Sequence, residues 1–369
     1  MSREKYDCVI ATLSDIATDG RARAFAESCV ALGKRTLVIC RDNSDLLGLP
    51  YEAVPILPRA AGRVAAQWKD YVIAVRRILK SIDADNYIAA ELYSLLALTL
   101  SRRAADSILV YDSREIFSAL ATLGGSKKKQ FVISAIERFC IRKADVVVAS
   151  GELDAEYLRN RFNLKEVPVI MNLPPFRERM DSEILHKAFP IPKSQRILLY
   201  QGAVHEGRGL VPAVKSLKYA EEFTLCILGR GPFEDELALL AEDEGVGERV
   251  VFCGEVPYEK LHEHTCSADV GLCFIEPISF SYSLSLPNKL FEYIMAGLPV
   301  LASDLPAHRA ILEETNVGLL LPAEALPEQI AIALRALLEK RKYHSAGCAL
   351  AALKYNRGSL PEVFSKFLK

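Results

Sequence analysis

Apolar positions along the chain fall into two kinds of run that take turns. Short unbroken stretches such as Cys8-Val9-Ile10-Ala11, Thr36-Leu37-Val38-Ile39-Cys40 and Ala144-Asp145-Val146-Val147-Val148-Ala149 read as strands covered on both faces, which show no polar alternation. Between the first two, Arg21 to Leu32 has helical spacing and ends at Gly33. Strand, helix and strand in that order predict a parallel α/β sheet. The connecting loop, Leu13 to Gly20, holds two aspartates but no G-x-G-x-x-G fingerprint, which disfavours a dinucleotide there. The pattern restarts with Ile197–Tyr200, Phe223–Leu228, Val250–Cys253 and Val270–Ile275, so a second sheet is expected. Phe176 to Pro192, charged and flanked by prolines, reads as the linker. Helical patterns return over Ala325–Arg341 and from Pro361 to Lys369.

The densest stretch is Ser285-Leu286-Pro287-Asn288-Lys289-Leu290-Phe291-Glu292-Tyr293-Ile294-Met295-Ala296-Gly297, followed by the apolar strand Val300-Leu301-Ala302. Pro287 suits the first helical position and Ser285 a cap, while Gly297 and Pro299 end the helix. Asn288, Lys289 and Glu292 share one face. A helix N-terminus with its unpaired amides favours phosphate, and Lys289 adds a mobile positive charge. Glu292, one turn deeper, is placed to accept hydrogen bonds from a vicinal diol such as a ribose. A solvent-facing Lys–Glu pair on an amphipathic helix explains the same spacing equally well.

Other loops carry candidate chemistry. Gly202 leads into Ala203-Val204-His205-Glu206-Gly207-Arg208-Gly209, where glycines allow close backbone approach and Arg208 can grip phosphate. Gly229-Arg230-Gly231-Pro232 follows another strand. Val110-Tyr111-Asp112-Ser113-Arg114-Glu115 ends a strand in a charged cluster, where parallel sheets place ligands.

Composition changes this picture little. The 369 residues, half of them hydrophobic and a quarter charged, suffice for two soluble domains, and a net charge of −1 gives no general attraction to nucleic acid. Residues 1–175 carry 25 Lys and Arg against 21 Asp and Glu, a net of +4, and the rest carry 21 against 26, a net of −5. A basic first half fits an anionic acceptor or membrane surface on that side. The nine cysteines form no C-x-x-C pair and read as small buried hydrophobes of a reducing compartment, with no zinc site expected. The charged opening residues predict no signal peptide, and the longest apolar stretch, Tyr87 to Leu100, is too short to span a bilayer. A cytoplasmic protein is expected. The basic apolar helices over residues 60–80, with Arg63, and 126–143 suit either the inner membrane face or core packing with a solvated face.

The run P-N-K-L-F-E-Y-I-M-A-G-L-P-V-L-A-S-D resembles the donor-site segment of family 4 glycosyltransferases of the GT-B fold, of the bacterial surface-polysaccharide type. The resemblance implies two Rossmann-like domains facing a cleft: an acceptor-side domain, 1–175, with 355–369 packing back, and a nucleotide-sugar domain, 176–354. It implies a metal-independent retaining transferase that needs no cofactor and moves a hexose from a UDP-sugar, or a GDP-sugar, to a glycan or lipid-linked acceptor. Glu292 matches the second glutamate of the family's E-x7-E motif and would hold the ribose, whereas the first falls at Leu284. Gly20 matches a first-loop glycine near phosphate or acceptor. Gly202, Arg208, Gly229, Arg230, Gly231, the backbone at Val256, Ser285, Pro287, Asn288, Lys289 and Leu290 match the donor site. Arg208, Lys289, Arg114 and Asp112 would serve the reaction. Ala203 stands where relatives carry arginine, and Arg114 where they carry histidine. A non-catalytic nucleotide-sugar-binding subunit and a sugar-nucleotide 2-epimerase of the same fold stay open as alternatives.

Overall fold

The computed structural model describes residues 3–17, 19–41, 48–56, 64–101, 103–117, 126–278 and 280–369. Six strands in the first half pair in parallel: β1 (Glu4–Asp15), β2 (Thr36–Arg41), β3 (Glu52–Ile56), β4 (Ile82–Ala90), β5 (Ile108–Ser113) and β6 (Val146–Ala149). Six more do so in the second: β7 (Arg196–Gln201), β8 (Phe223–Leu228), β9 (Val250–Gly254), β10 (Val270–Cys273), β11 (Val300–Ser303) and β12 (Gly318–Leu321). The spatial orders are β3-β2-β1-β4-β5-β6 and β12-β11-β10-β7-β8-β9. Both are the doubly wound Rossmann order. In each sheet the order reverses beside the first strand, β1 or β7, and in sheets of this kind ligands bind at the carboxyl ends beside that reversal.

Unbroken apolar runs form these strands because helices cover both faces. Every residue of β8 is buried, as is β2 from Thr36 to Cys40. β1 extends to Asp15, beyond the four residues its apolar run suggested, and β10 stops at Cys273. The helix expected over 60–80 is Val64–Ile78 among the described residues, and Arg63 lies outside them.

The chain divides into two compact units, Met1–Asn172 with Gly358–Lys369, and Leu173–Arg357. Residues 176–192, expected as a linker, belong to the second unit. They contain the helix Ile184–Ala188, and Leu185 and Ile191 are buried. The tail forms helices Pro327–Glu339 and Arg341–Lys354 before Leu360–Ser365 returns to the first unit. There Phe364 meets Phe25 edge to face at 4.7 Å, closing that unit's core.

The Lys127–Ile141 helix packs Ile133, Ile136, Cys140 and Ile141 onto the first unit's core, as a core-packed helix would, while Phe131, Val132 and Phe139 on its other side are 75%, 55% and 51% exposed. Among the described residues no helix is long and apolar enough to cross a membrane.

Candidate active site

In the second unit three loops at the carboxyl ends of β7, β8 and β9 are zipped together by backbone hydrogen bonds. Gly202 donates its N–H to Leu228 O at 2.9 Å, Val204 to Arg230 O at 3.0 Å, and Gly229 to Gly254 O at 2.8 Å. Gly229 has φ +147°, and a Cβ there would lie 2.0 Å from Gly202 O, so only glycine permits this approach. The loop from Gly202 to Gly209 turns onto the end of β10, where Glu276 N donates to Gly207 O at 3.0 Å. Arg230 ion-pairs with Glu234 at 3.1 Å and lies against Gly254, with Val256 half-buried just beyond.

The helix Asn288–Met295 is pinned across this edge by Tyr293. Its hydroxyl donates to Leu199 O at 3.0 Å and accepts from Gln201 N at 3.1 Å. The ring occupies space left by Gly271, where a Cβ would come within 2.5 Å of it. The helix starts one residue later than its sequence suggests. Pro287 is the N-cap in extended conformation, because its fixed φ leads the chain in but its ring cannot take part in capping. Ser285 is not the cap, and its buried Oγ has no hydrogen-bond partner among the described residues.

Lys289 departs most from expectation. It is buried, with Nζ 3.5 Å above the centre of the Tyr200 ring and 3.8 Å from where a Cβ on Gly202 would sit. It forms no ion pair among the described residues, so it is a fixed charge and not a mobile one. Burial pushes its ammonium down to about 7; nearby Arg208 acts the same way, while Cys273 and Glu292 oppose it. Arg208 rests 4.5 Å from the Tyr282 ring centre. Glu292 accepts a hydrogen bond from Gln201 Nε2, and Gln201 Oε1 accepts one from Thr265 Oγ1 at 3.0 Å. Burial raises the Glu292 carboxyl, opposed by Gln201 and Lys289. A shallow pocket open to solvent adjoins Glu292 and is lined also by Pro174, Arg177, Tyr258, His262 and Thr265. Asn288 is exposed at the helix head and Leu290 is buried behind it.

Gly20, Asp112 and Arg114 lie in the first unit. Gly20 opens the helix Gly20–Ala31 with clear space where a Cβ would stand, and Asp19 caps that helix by accepting from Ala22 N. Asp112 is fully buried between two guanidinium groups. Arg21 bonds it at 3.0 and 2.6 Å, and Arg114 Nε at 2.9 Å. Arg114 Nη1 also reaches Asp19 at 2.7 Å. Burial drives the Asp112 carboxyl up, but Arg21 and Arg114 outweigh it and hold the group below its usual range.

The second unit thus gathers Gly202, Arg208, Gly229, Arg230, Gly231, Val256 and the segment Ser285 to Glu292 along one sheet edge. Tyr200, Gln201 and Thr265, which support Lys289 and Glu292, are not singled out by the sequence. Only Tyr200 and Gln201 carried a signal, standing directly before Gly202 at a strand end. Among the described residues no group of His, Cys, Asp and Glu is arranged to hold a metal ion.

Residues 195–340 match the family model "Glycosyl transferases group 1", and residues 19–172 match "Glycosyl transferase 4-like domain". The chain belongs to the group 1, family 4-like glycosyltransferases. It is similar to a phosphatidyl-myo-inositol mannosyltransferase of Mycobacterium leprae, 31% identical over 173 residues, which are 45% of this chain and 44% of that protein. The match therefore spans less than half of that relative's length. A 2-deoxystreptamine glucosyltransferase of Streptomyces kanamyceticus is 24% identical over 294 residues, 75% of this chain and 72% of its own. Among solved structures, Anabaena Alr3699/HepE in complex with UDP-glucose has a TM-score of 0.74 at 15% identity, covering 98% of this chain and 99% of that one. That likeness shows the GT-B fold.

Proposed function

We propose that this member of the family transfers a hexose from a UDP-sugar to a hydroxyl of a glycan or lipid-linked acceptor, with retention at the sugar carbon. The observation that carries the donor reading is Lys289, a buried ammonium without a carboxylate partner at the head of a helix, beside Gly202 and Arg208. Such a charge is costly alone and is offset by an anion of the size and charge of a diphosphate. Lys289, Arg208 and the free amides at the helix head would stabilise negative charge as the bond from sugar to diphosphate breaks. Glu292, fixed by Gln201 and Thr265, would hold the ribose hydroxyls, with the nucleoside toward the adjoining pocket. The departing phosphate would take the acceptor's proton on the same face. The solved relative bound to UDP-glucose supports uridine as the base.

Melting curves with UDP, GDP, ADP and NAD, on wild type and Glu292→Ala, test this. A ligand bound only by the folded state adds about 2.7 kcal/mol at a hundredfold excess over its Kd. UDP should raise the melting temperature, NAD should not, and the variant should lose most of the shift. A larger shift with GDP would reassign the base. A shift with NAD alone, or one untouched by Glu292→Ala, would refute the donor site.

Lys127, Lys128 and Lys129, beside outward Phe131, Val132 and Phe139, support peripheral contact with an anionic membrane on the acceptor side. Phosphatidylglycerol vesicles should sediment the protein, and Phe131→Ser with Phe139→Ser should abolish this. Equal sedimentation of the double variant would exclude that helix.

A further inference from the structure

The helix Arg341–Lys354 is apolar on two sides. Its inner side, with His344, Cys348, Ala351 and Ala352, is buried, and Tyr355 just beyond lies 5.4 Å from Phe291 of the helix Asn288–Met295. Its outer side carries Tyr343, Ala346, Leu350 and Leu353. Tyr343, Leu350 and Leu353 are 58%, 73% and 66% exposed, and Ala346 is exposed between them. These positions step by three, four and three residues, the spacing of a coiled-coil seam. No charged residue interrupts the outer side between Lys342 and Lys354. A surface helix needs one apolar stripe for its own core, so the second has no use in the fold of a single copy and marks a contact surface.

Sizes along the seam favour a second copy of the same helix as its cover. Laid antiparallel about a twofold axis level with Cys348, Tyr343 faces Leu353 of the other copy and Ala346 faces Leu350, each contact occurring twice. The small side chain then meets a large one, as close packing across facing positions requires. A parallel pair would set Ala346 against Ala346 and leave a gap in the middle of the seam.

Charges at the two ends agree. Lys340 and Lys342, both exposed, stand at the start of the seam and form no ion pair among the described residues, whereas Arg341 between them is taken up by Asp269. At the far end lie exposed Glu313 and Glu314, the latter in contact with Lys354 and Tyr355. An antiparallel pair brings the free lysines of each copy to the glutamates of the other, and a parallel pair would set lysine beside lysine.

We infer that this face is a self-association surface, on which two copies of the chain pair through antiparallel Arg341–Lys354 helices. Four side chains over about 15 Å of helix bury on the order of 1,000 Å² in total, the low end for a specific contact, so the pair forms at micromolar concentration.

Sedimentation velocity on the full chain between about 1 and 100 μM tests this. Wild type should move from 40.8 kDa toward twice that mass. Leu350→Glu and Leu353→Glu should each stay monomeric throughout and keep the wild-type melting temperature. Lys342→Glu should weaken the pair about threefold, and by less in high salt. An oxidised mixture of Ala346→Cys and Leu350→Cys chains should cross-link far more than either chain alone. The inference fails if wild type stays at 40.8 kDa, or if a dimer survives both glutamate variants. It fails equally if Ala346→Cys alone cross-links as well as the mixture, which would mean a parallel pair. Lipid vesicles that sediment wild type but not Leu350→Glu, with no dimer at any concentration, would assign the face to a membrane instead.

Discussion

The two units share one strand order and place opposite chemistry where it reverses. In the first, the ends of β1 and β5 carry Asp19, Arg21, Asp112 and Arg114, and nearly all of their charge is spent on one another. In the second, the ends of β7 and β8 carry backbone glycine turns, and the helix Asn288–Met295 sets Lys289 against them, over the Tyr200 ring and in no ion pair among the described residues. One strand edge is neutralised by its own ion pairs, and the other holds a buried ammonium that has none among the described residues. Fold alone decides neither, since both sheets are wound alike and the loops differ.

Two substitutions sharpen this contrast by having opposite signs. Asp112→Ala leaves two buried guanidinium groups without their carboxylate and should cost about 3–5 kcal/mol in denaturant unfolding. Lys289→Met removes a buried charge that has no partner, and should stabilise the ligand-free protein by about 1–2 kcal/mol while abolishing the UDP shift. If both destabilise alike, the second strand edge is held together by its charge as the first is, and the contrast is lost.

A smaller effect lies in pH. The Lys289 ammonium is held near 7 when folded, below its ordinary value of 10.5. The folded chain therefore binds fewer protons between those limits, and this group's contribution to stability rises with pH across that window. A bound diphosphate restores the proton. UDP affinity should accordingly fall above pH 7, by up to about tenfold per unit, with proton uptake seen by calorimetry in buffers of different ionisation enthalpy. Lys289→Arg should flatten the profile; a profile that stays steep in that variant would assign the proton elsewhere.

Much of the fold was legible because buried parallel strands write themselves as unbroken apolar runs, as β2 and β8 do. Glycines at 202, 229 and 231 were legible as breaks at strand ends. What escaped notice depends on residues far apart in the chain. Lys289 looked exposed because its partner ring, Tyr200, lies on another strand. The pairing of Arg21 with Asp112 joins positions 91 residues apart. Ser285 looked like a cap because serine usually is one, whereas Pro287 fixes the entry of the chain two residues later.

The return of Phe364 onto Phe25 bears on how the chain comes to be folded. On the ribosome the N-terminal sheet emerges first, yet part of its hydrophobic cover lies in residues 358–369, which appear only after the whole of the second unit. The surface around Phe25 must therefore stay open through the synthesis of 173–357. The second unit, continuous in sequence, can settle without waiting, so the half of the protein made first is the half completed last.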